Sequence, residues 1–262
     1  MKRWRYVLLV LCTAVISISG TYLVNYFMKS EENKQKYEDI SEIGFPETEA
    51  DHEEENDQQD VKQSEDDFDY QSLIAMNSDC VGWIQITGTD INYPVVQAAD
   101  NEFYLTHNFN RETAACGAIF MDYRNDVDAK AEHLILYGHQ MKDNSMFKQL
   151  NGYKEEIFYK EHPDIKLYLH EQKYEYEITA VYVTDVANGG GYYNYLHWNT
   201  RKEQLNYLQQ KMAGYQLYDT GKKVMDTDEL LSLSTCEYSS DNGRLIIQAR
   251  RKGAQINGKQ II

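Results

Sequence analysis

Basic charge is what this chain has least of. Against 42 Asp and Glu it carries 26 Lys and Arg, a net of −16 with the histidines neutral. The deficit is concentrated. Residues 31–69 hold 17 acidic residues and only three lysines (Lys34, Lys36, Lys62), which leaves about −2 for everything else. No basic face is in surplus, so no nucleic-acid partner is expected. Cysteine is scarce as well. Cys12, Cys80, Cys116 and Cys236 are the four, and their spacing has no metal-ligand signature. No metal and no cofactor is expected, and no internal repeat is visible.

Charge is also missing from one long run. Arg5 and Lys29 bracket 23 uncharged residues, Tyr6 to Met28. As a helix rising ~1.5 Å per residue, this run spans a bilayer core. Lys2, Arg3 and Arg5 precede it, which predicts a cytoplasmic N-terminus and an extracellular remainder. A cleaved signal peptide is the competing reading, with Ser17-Ile-Ser19 as a weak cleavage site. The uncharged run is longer than a signal peptide needs, so an uncleaved single-pass anchor is expected. Cys12 lies within it as an apolar residue.

The acidic stretch after the anchor has few aliphatic residues and no sustained apolar period. A disordered, charge-extended stalk is expected there. The layout is thus 1–30 for the cytoplasmic start and anchor, 31–67 for the stalk, 68–255 for a catalytic domain and 256–262 for a tail.

Within 68–255 short β-type runs dominate. They are Gly82–Ile86, Ile91–Val96, Gly117–Asp122, Leu134–Tyr137, Ile165–Leu169, Tyr174–Thr184, Leu230–Thr235 and Leu245–Arg250. Helices are expected at 68–77, at 145–161 (stopped by Pro163), and at 200–215. In the last, Thr200 and Glu203 form a capping box, and Leu205, Leu208, Met212 and Tyr215 form one face. Many short strands with few helices read as a mainly β closed barrel or sandwich.

One segment concentrates chemistry. Leu231-Ser-Leu-Ser-Thr-Cys236 reads as a strand ending at a thiol, followed by a polar turn through Asp241-Asn242-Gly243 and a return that opens with Arg244. A guanidinium beside the sulfur favours a thiolate or an oxyanion. Upstream, His133-Leu-Ile-Leu-Tyr-Gly-His139 is a second apolar strand, and it ends in a histidine. Cys236 as nucleophile, His139 as base and acid, and Arg244 as oxyanion donor suggest acyl transfer through a thioester. Ser234 shares the pleat face of Cys236 and is either a substrate contact or merely a pleat position. Tyr192, Tyr193 and Tyr195 follow Gly189-Gly190-Gly191, which suits a substrate-covering loop.

These segments resemble the sortases, the cysteine transpeptidases of Gram-positive cell surfaces. LSLSTC with Arg244 matches their L-x-T-C signature. LILYGHQMKDNSMF, VGWIQITGTDINYPVVQ (81–97) and GAIFMDYRND (117–126) are similar to the class B branch. The resemblance covers roughly residues 68 to 252. It implies an eight-stranded sortase barrel behind a membrane anchor. It also implies cleavage of surface proteins after the threonine of a C-terminal sorting signal (N-P-Q-T-N-like or S/P-P-x-T-G-like), with transfer to an amine of a peptidoglycan precursor or cross-bridge.

Two other functions compete. A cysteine peptidase that hydrolyses surface proteins without wall attachment uses similar groups. Papain-like enzymes, however, place the cysteine before the histidine, and the Q-A-C-x-G signature of caspases is absent. A membrane-tethered binding module would have no need of the Cys, His and Arg set. Cys80 and Cys116 either pair, as an extracellular domain permits, or stand as separate buried thiols.

Overall fold

The computed structural model describes residues 2–46, 68–127, 132–185, 200, 202–203, 205–206, 212–225, 227–237 and 242–253. Two compact units are distinguished, Met1–Asp39 and Ile40–Ile262. The chain begins with helix α1, Lys2–Gly44. It is long and apolar enough to cross a membrane, with Leu9, Ile16 and Phe27 exposed along it.

The stretch expected to be disordered from residue 31 is helical as far as Gly44. Lys36 Nζ lies 2.8 Å from Glu32 Oε1, Lys34 lies 4.0 Å from Glu38, and Gln35 donates to Asp39 at 2.9 Å. Glu, Lys and Gln are strong helix formers, and pairs four residues apart support the exposed side of the helix. Tyr37 and Ile40, three residues apart, are buried and give it a short apolar face. Residues 47–67 of the expected stalk lie outside the described residues.

In the second unit, eight strands form a closed barrel: β1 Cys80–Gln85, β2 Asn92–Val96, β3 Ile119–Met121, β4 His133–Tyr137, β5 Asp164–Leu169, β6 Gln172–Asp185, β7 Leu230–Glu237 and β8 Gly243–Arg251. The mainly β closed barrel expected from the sequence is the fold. The order around the barrel is β1-β2-β3-β4-β7-β8-β6-β5. Pairs β2–β3 and β4–β7 are parallel. Parallel neighbours need long crossovers, so strands far apart in sequence lie side by side. The crossover between β4 and β7 brings His139 and Cys236 into one neighbourhood. Strand β6 serves two partners, β5 with its first half and β8 with its second, and its register with β8 shifts between Ile178 and Ala180. A bulge of this kind bends a strand at a barrel corner.

Strands β4, β7 and β8 are buried on both faces. Leu134, Leu136, Leu231, Leu233, Leu245 and Ile247 occupy one face, and all are buried. On the other face Ile135, Leu230, Ile246, Ala180 and Tyr182 cluster with Leu205, with Tyr137 and Val224 packed against them. Leu205 belongs to the expected helix 200–215. Of that span, 202–203 and 205–206 are helical, Met212–Tyr215 is a 3-10 turn, and the Thr200 hydroxyl accepts from the Glu203 N–H at 3.3 Å.

Helix α2, Tyr70–Met76, is capped by Asp69, whose carboxylate accepts from Ser72 N at 2.9 Å. The single helix expected at 145–161 is two elements, a 3-10 helix Phe147–Lys154 and helix α3, Glu156–Glu161. Phe147, Leu150 and Tyr153 are each fully buried, and their spacing of three is the 3-10 repeat rather than the α repeat. Glu155 is extended between the two elements. Ahead of α2, Phe45 packs against Phe68, Trp83 and Tyr168 at 5.3–5.5 Å between ring centroids, and Ser41 accepts from the Asn92 side chain at 2.9 Å.

Candidate active site

The site is assembled at the ends of β4, β7 and β8. Cys236 lies one residue inside the end of β7, and its register partner on antiparallel β8 is Arg244. Partners directly opposite in a ladder project to the same face, so thiol and guanidinium share one side of the sheet. Both are half-buried. Arg244 Nη1 donates to the Gly243 carbonyl at 2.8 Å. Residues 238–241 of the intervening turn lie outside the described residues.

His139 follows β4 after Gly138. A side chain at Gly138 would put its Cβ 2.4 Å from Ile119 Cδ1 and 2.7 Å from the Phe147 ring, so only glycine lets the chain leave the barrel there. The His139 carbonyl accepts from Phe147 N at 2.9 Å. Ring atom Nε2 lies 2.7 Å from the Leu105 carbonyl, an acceptor only, so Nε2 carries the hydrogen. That leaves Nδ1 as the ring nitrogen for the sulfur. Leu105 itself ends a 3-10 turn, Phe103–Leu105, and that segment is pressed against Gly117. Gly117 has φ +59°, and a Cβ there would stand 2.4 Å from the Tyr104 carbonyl and 3.2 Å from His139 Cδ2.

The electrostatics single out one thiol. A hydrogen bond from His139 holds the Cys236 thiol below its ordinary pKa; burial opposes this, and the charge of Arg244 adds to it. The same bond raises the His139 ring above its ordinary value, with burial opposing and the Leu105 carbonyl adding. Burial pushes Cys80 and Cys116 up to about 11, with the charge of Asp143 adding to it at Cys116. Both are buried and free, so they are separate thiols rather than a pair. Among the described thiols, Cys236 is the one with a base beside it.

The remaining expected site residues are distributed unevenly. Ser234 shares the Cys236 face, paired with Tyr137 on β4 and Ile246 on β8, and is only 2% exposed. Tyr192, Tyr193 and Tyr195 lie outside the described residues. His133 sits at the far end of β4, buried, 2.9 Å from the Ser232 hydroxyl. It is four residues down the strand from Tyr137, away from the thiol.

Three further residues are not singled out by the sequence, although Gln140 and Asp122 lie within segments that carry the family resemblance. Gln140 donates from its side-chain amide to the Cys236 carbonyl at 2.8 Å. Thr184, the partner of Arg244 on β6, has a buried hydroxyl with no hydrogen-bond partner among the described residues. Tyr137 donates to Asp122 at 2.8 Å, and that fully buried carboxylate is clamped by Arg124 at 2.6–2.7 Å. Adjacency to His139 marks Gln140. Thr184 and Asp122 become visible only once strand pairing is known.

Known proteins resemble this chain in sequence and in fold. Residues 84–252 match the model of the sortase domain family. The chain is 38% identical over 180 residues to sortase B of Listeria monocytogenes, spanning 68% of this chain and 72% of that protein. It is 30% identical over 261 residues to sortase B of Staphylococcus aureus, spanning 95% and 97%. Its structure superposes on a Staphylococcus aureus sortase B–substrate complex with a TM-score of 0.70 at 29% identity, covering 88% of this chain and 100% of the other.

Proposed function

The chain belongs to the sortase family, in its class B branch, and from that premise we propose that it cleaves C-terminal sorting signals after threonine and transfers the surface protein to a cell-wall amine. As a sortase it is a cysteine transpeptidase of surface proteins. The observation that carries the finer reading is the register pairing of Cys236 with Arg244 at the strand end, with the His139 ring near enough to lower the thiol pKa.

In the proposed sequence, His139 Nδ1 takes the thiol proton, and the thiolate attacks the threonine carbonyl carbon. The carbonyl π pair moves to oxygen, and the Arg244 fork stabilises that oxyanion. Collapse of the oxyanion expels the peptide nitrogen, which takes the proton from His139. A thioester then links threonine to Cys236. An amine attacks it, His139 accepts the proton that the amine loses, and the thiolate leaves. The Leu105 carbonyl keeps the imidazole in the tautomer this cycle needs. A sorting-signal proline presets φ and lowers the ordering cost of binding. Ser234, Tyr192 and Tyr193 are the proposed walls for the peptide, and the Thr184 hydroxyl, unpartnered among the described residues, offers it a further polar contact.

The apolar helix supports membrane anchoring, with Lys2, Arg3 and Arg5 on the cytoplasmic side and the barrel outside. The experiment is a peptide panel offered to the full chain in detergent, with and without an amine acceptor. Amide-linked products ending in threonine from N-P-Q-T-N-like or S/P-P-x-T-G-like peptides support the reading. Hydrolysis that the amine never diverts would favour a peptidase. Processing of L-P-x-T-G peptides alone would contradict the proposed signal.

A further inference from the structure

We propose that Gln140 is a positioning residue whose side-chain amide ties the His139 loop to the strand end carrying Cys236, and so sets the approach of imidazole to sulfur. The proposal rests on the reading of Cys236 and His139 given above.

Strands β4 and β7 pair in parallel up to Tyr137 and Ser234, and Gly138 N then donates to the Ser234 carbonyl at 3.2 Å. Rungs of one direction in a parallel ladder recur every two residues. The next would run from the backbone of residue 140 to the carbonyl of Cys236. At that point the chain turns away instead. Gln140 bridges antiparallel to Met146, and the His139 carbonyl accepts from Phe147 N at 2.9 Å. The Gln140 side chain supplies the missing rung, Nε2 donating to the Cys236 carbonyl at 2.8 Å.

The other end of the amide is also held. Lys148 Nζ donates to Gln140 Oε1 at 3.3 Å. A donor on the oxygen and an acceptor on the nitrogen fix which way the amide faces. One side chain thus joins the residue after the base to the residue that bears the nucleophile. Proton transfer and attack tolerate misplacement of only about half an ångström, so a link this short acts on rate more than on binding.

The test uses the full chain in detergent micelles. Gln140→Met is similar in length and neutral but has no N–H to donate. Lys148→Met keeps the donor and frees the far end of the amide. Three quantities are measured: the pH midpoint of iodoacetamide alkylation at Cys236, read on its tryptic peptide; kcat and KM for transfer from a sorting-signal peptide to an amine; and Tm. For Gln140→Met we expect kcat to fall about 10- to 100-fold, with KM within about twofold of wild type. The alkylation midpoint should rise, and Tm should move by no more than about 4 °C. Lys148→Met should change kcat and the midpoint in the same directions, by less. Wild-type kcat and midpoint in folded Gln140→Met overturn the proposal. If that variant does not fold, wild-type values in Lys148→Met overturn it. The parent reading fails separately, if His139→Ala alkylates with the wild-type pH midpoint.

Discussion

Cys236 and Arg244 are direct register partners across the β7–β8 ladder, eight residues apart in sequence and on one face of the sheet. The pairing puts a permanent positive charge beside a thiol whose own pKa is already lowered by His139. Arg244→Ala should therefore reduce kcat about 100- to 1000-fold, the usual cost of losing one oxyanion donor. Arg244→Lys should also be poor, because an ammonium lacks the planar fork. Steady-state transfer assays check both. Near-normal turnover in either variant would remove Arg244 from the mechanism.

The thiol and the imidazole should titrate together. The Cys236 pKa is lowered and the His139 pKa is raised, each chiefly by their mutual hydrogen bond. Alkylation of Cys236 should therefore begin below the pH at which an ordinary thiol reacts, and His139→Ala should move its onset upward. The linkage to stability has opposite signs for the two groups. The lowered Cys236 pKa contributes stability above the unfolded thiol value, and this is lost as pH falls through the folded value. The raised His139 pKa contributes below the unfolded imidazole value, and this is lost as pH rises through the folded value. Rate–pH profiles of wild type and His139→Ala, beside Tm–pH curves, check these directions.

Asp122 ties Tyr137, the β4 register partner of Ser234, to Arg124. Burial tends to raise its pKa, but the bonds from Arg124 outweigh burial and hold it below the usual carboxylate value. Asp122→Asn should cost about 3 kcal/mol, the lower end for breaking a buried pair, since Arg124 remains partly solvated. The ion-pair contribution in wild type is present above the usual carboxylate pKa and is lost as pH falls through the lowered value. Denaturant titrations at neutral and acid pH measure both effects.

Phe45 gives the stretch before the barrel a structural role. Its ring packs on Phe68, Trp83 and Tyr168. A chain shortened to begin at Phe68 loses that contact, whereas one beginning near Gln35 keeps it. Full burial of a phenylalanine contributes about 1.5–3 kcal/mol and Phe45 is half-buried, so the shorter chain should melt a few degrees lower. Equal Tm values would assign Phe45 no role in stability.

How much of this was legible in the sequence varied with the range of the interaction. The β-barrel, α2 and the approach of Cys236, His139 and Arg244 followed from runs, turn residues and a family resemblance. The 3-10 helix at Phe147 was read as α because Phe147, Leu150 and Tyr153 satisfy an apolar helix pattern as well as a period of three. The helix from residue 31 to Gly44 escapes a sequence reading because its apolar face, Tyr37 and Ile40, is too short to show a sustained period, and the rest of its support is polar, from Glu32–Lys36 and Lys34–Glu38. Gln140 and Asp122 lie within segments that carry the family resemblance, but their contacts, to Cys236 and Tyr137, are distant in the chain and are not set by the local pattern.

The central claim is a covalent intermediate on Cys236. The most direct measurement is intact-protein mass spectrometry of the full chain mixed with a sorting-signal peptide and quenched in acid within the first turnover. The account predicts an added mass equal to the peptide through its threonine. The adduct should map to Cys236, disappear on adding an amine, and be absent in Cys236→Ala. An adduct on Cys80 or Cys116, or turnover that persists in Cys236→Ala, would contradict it.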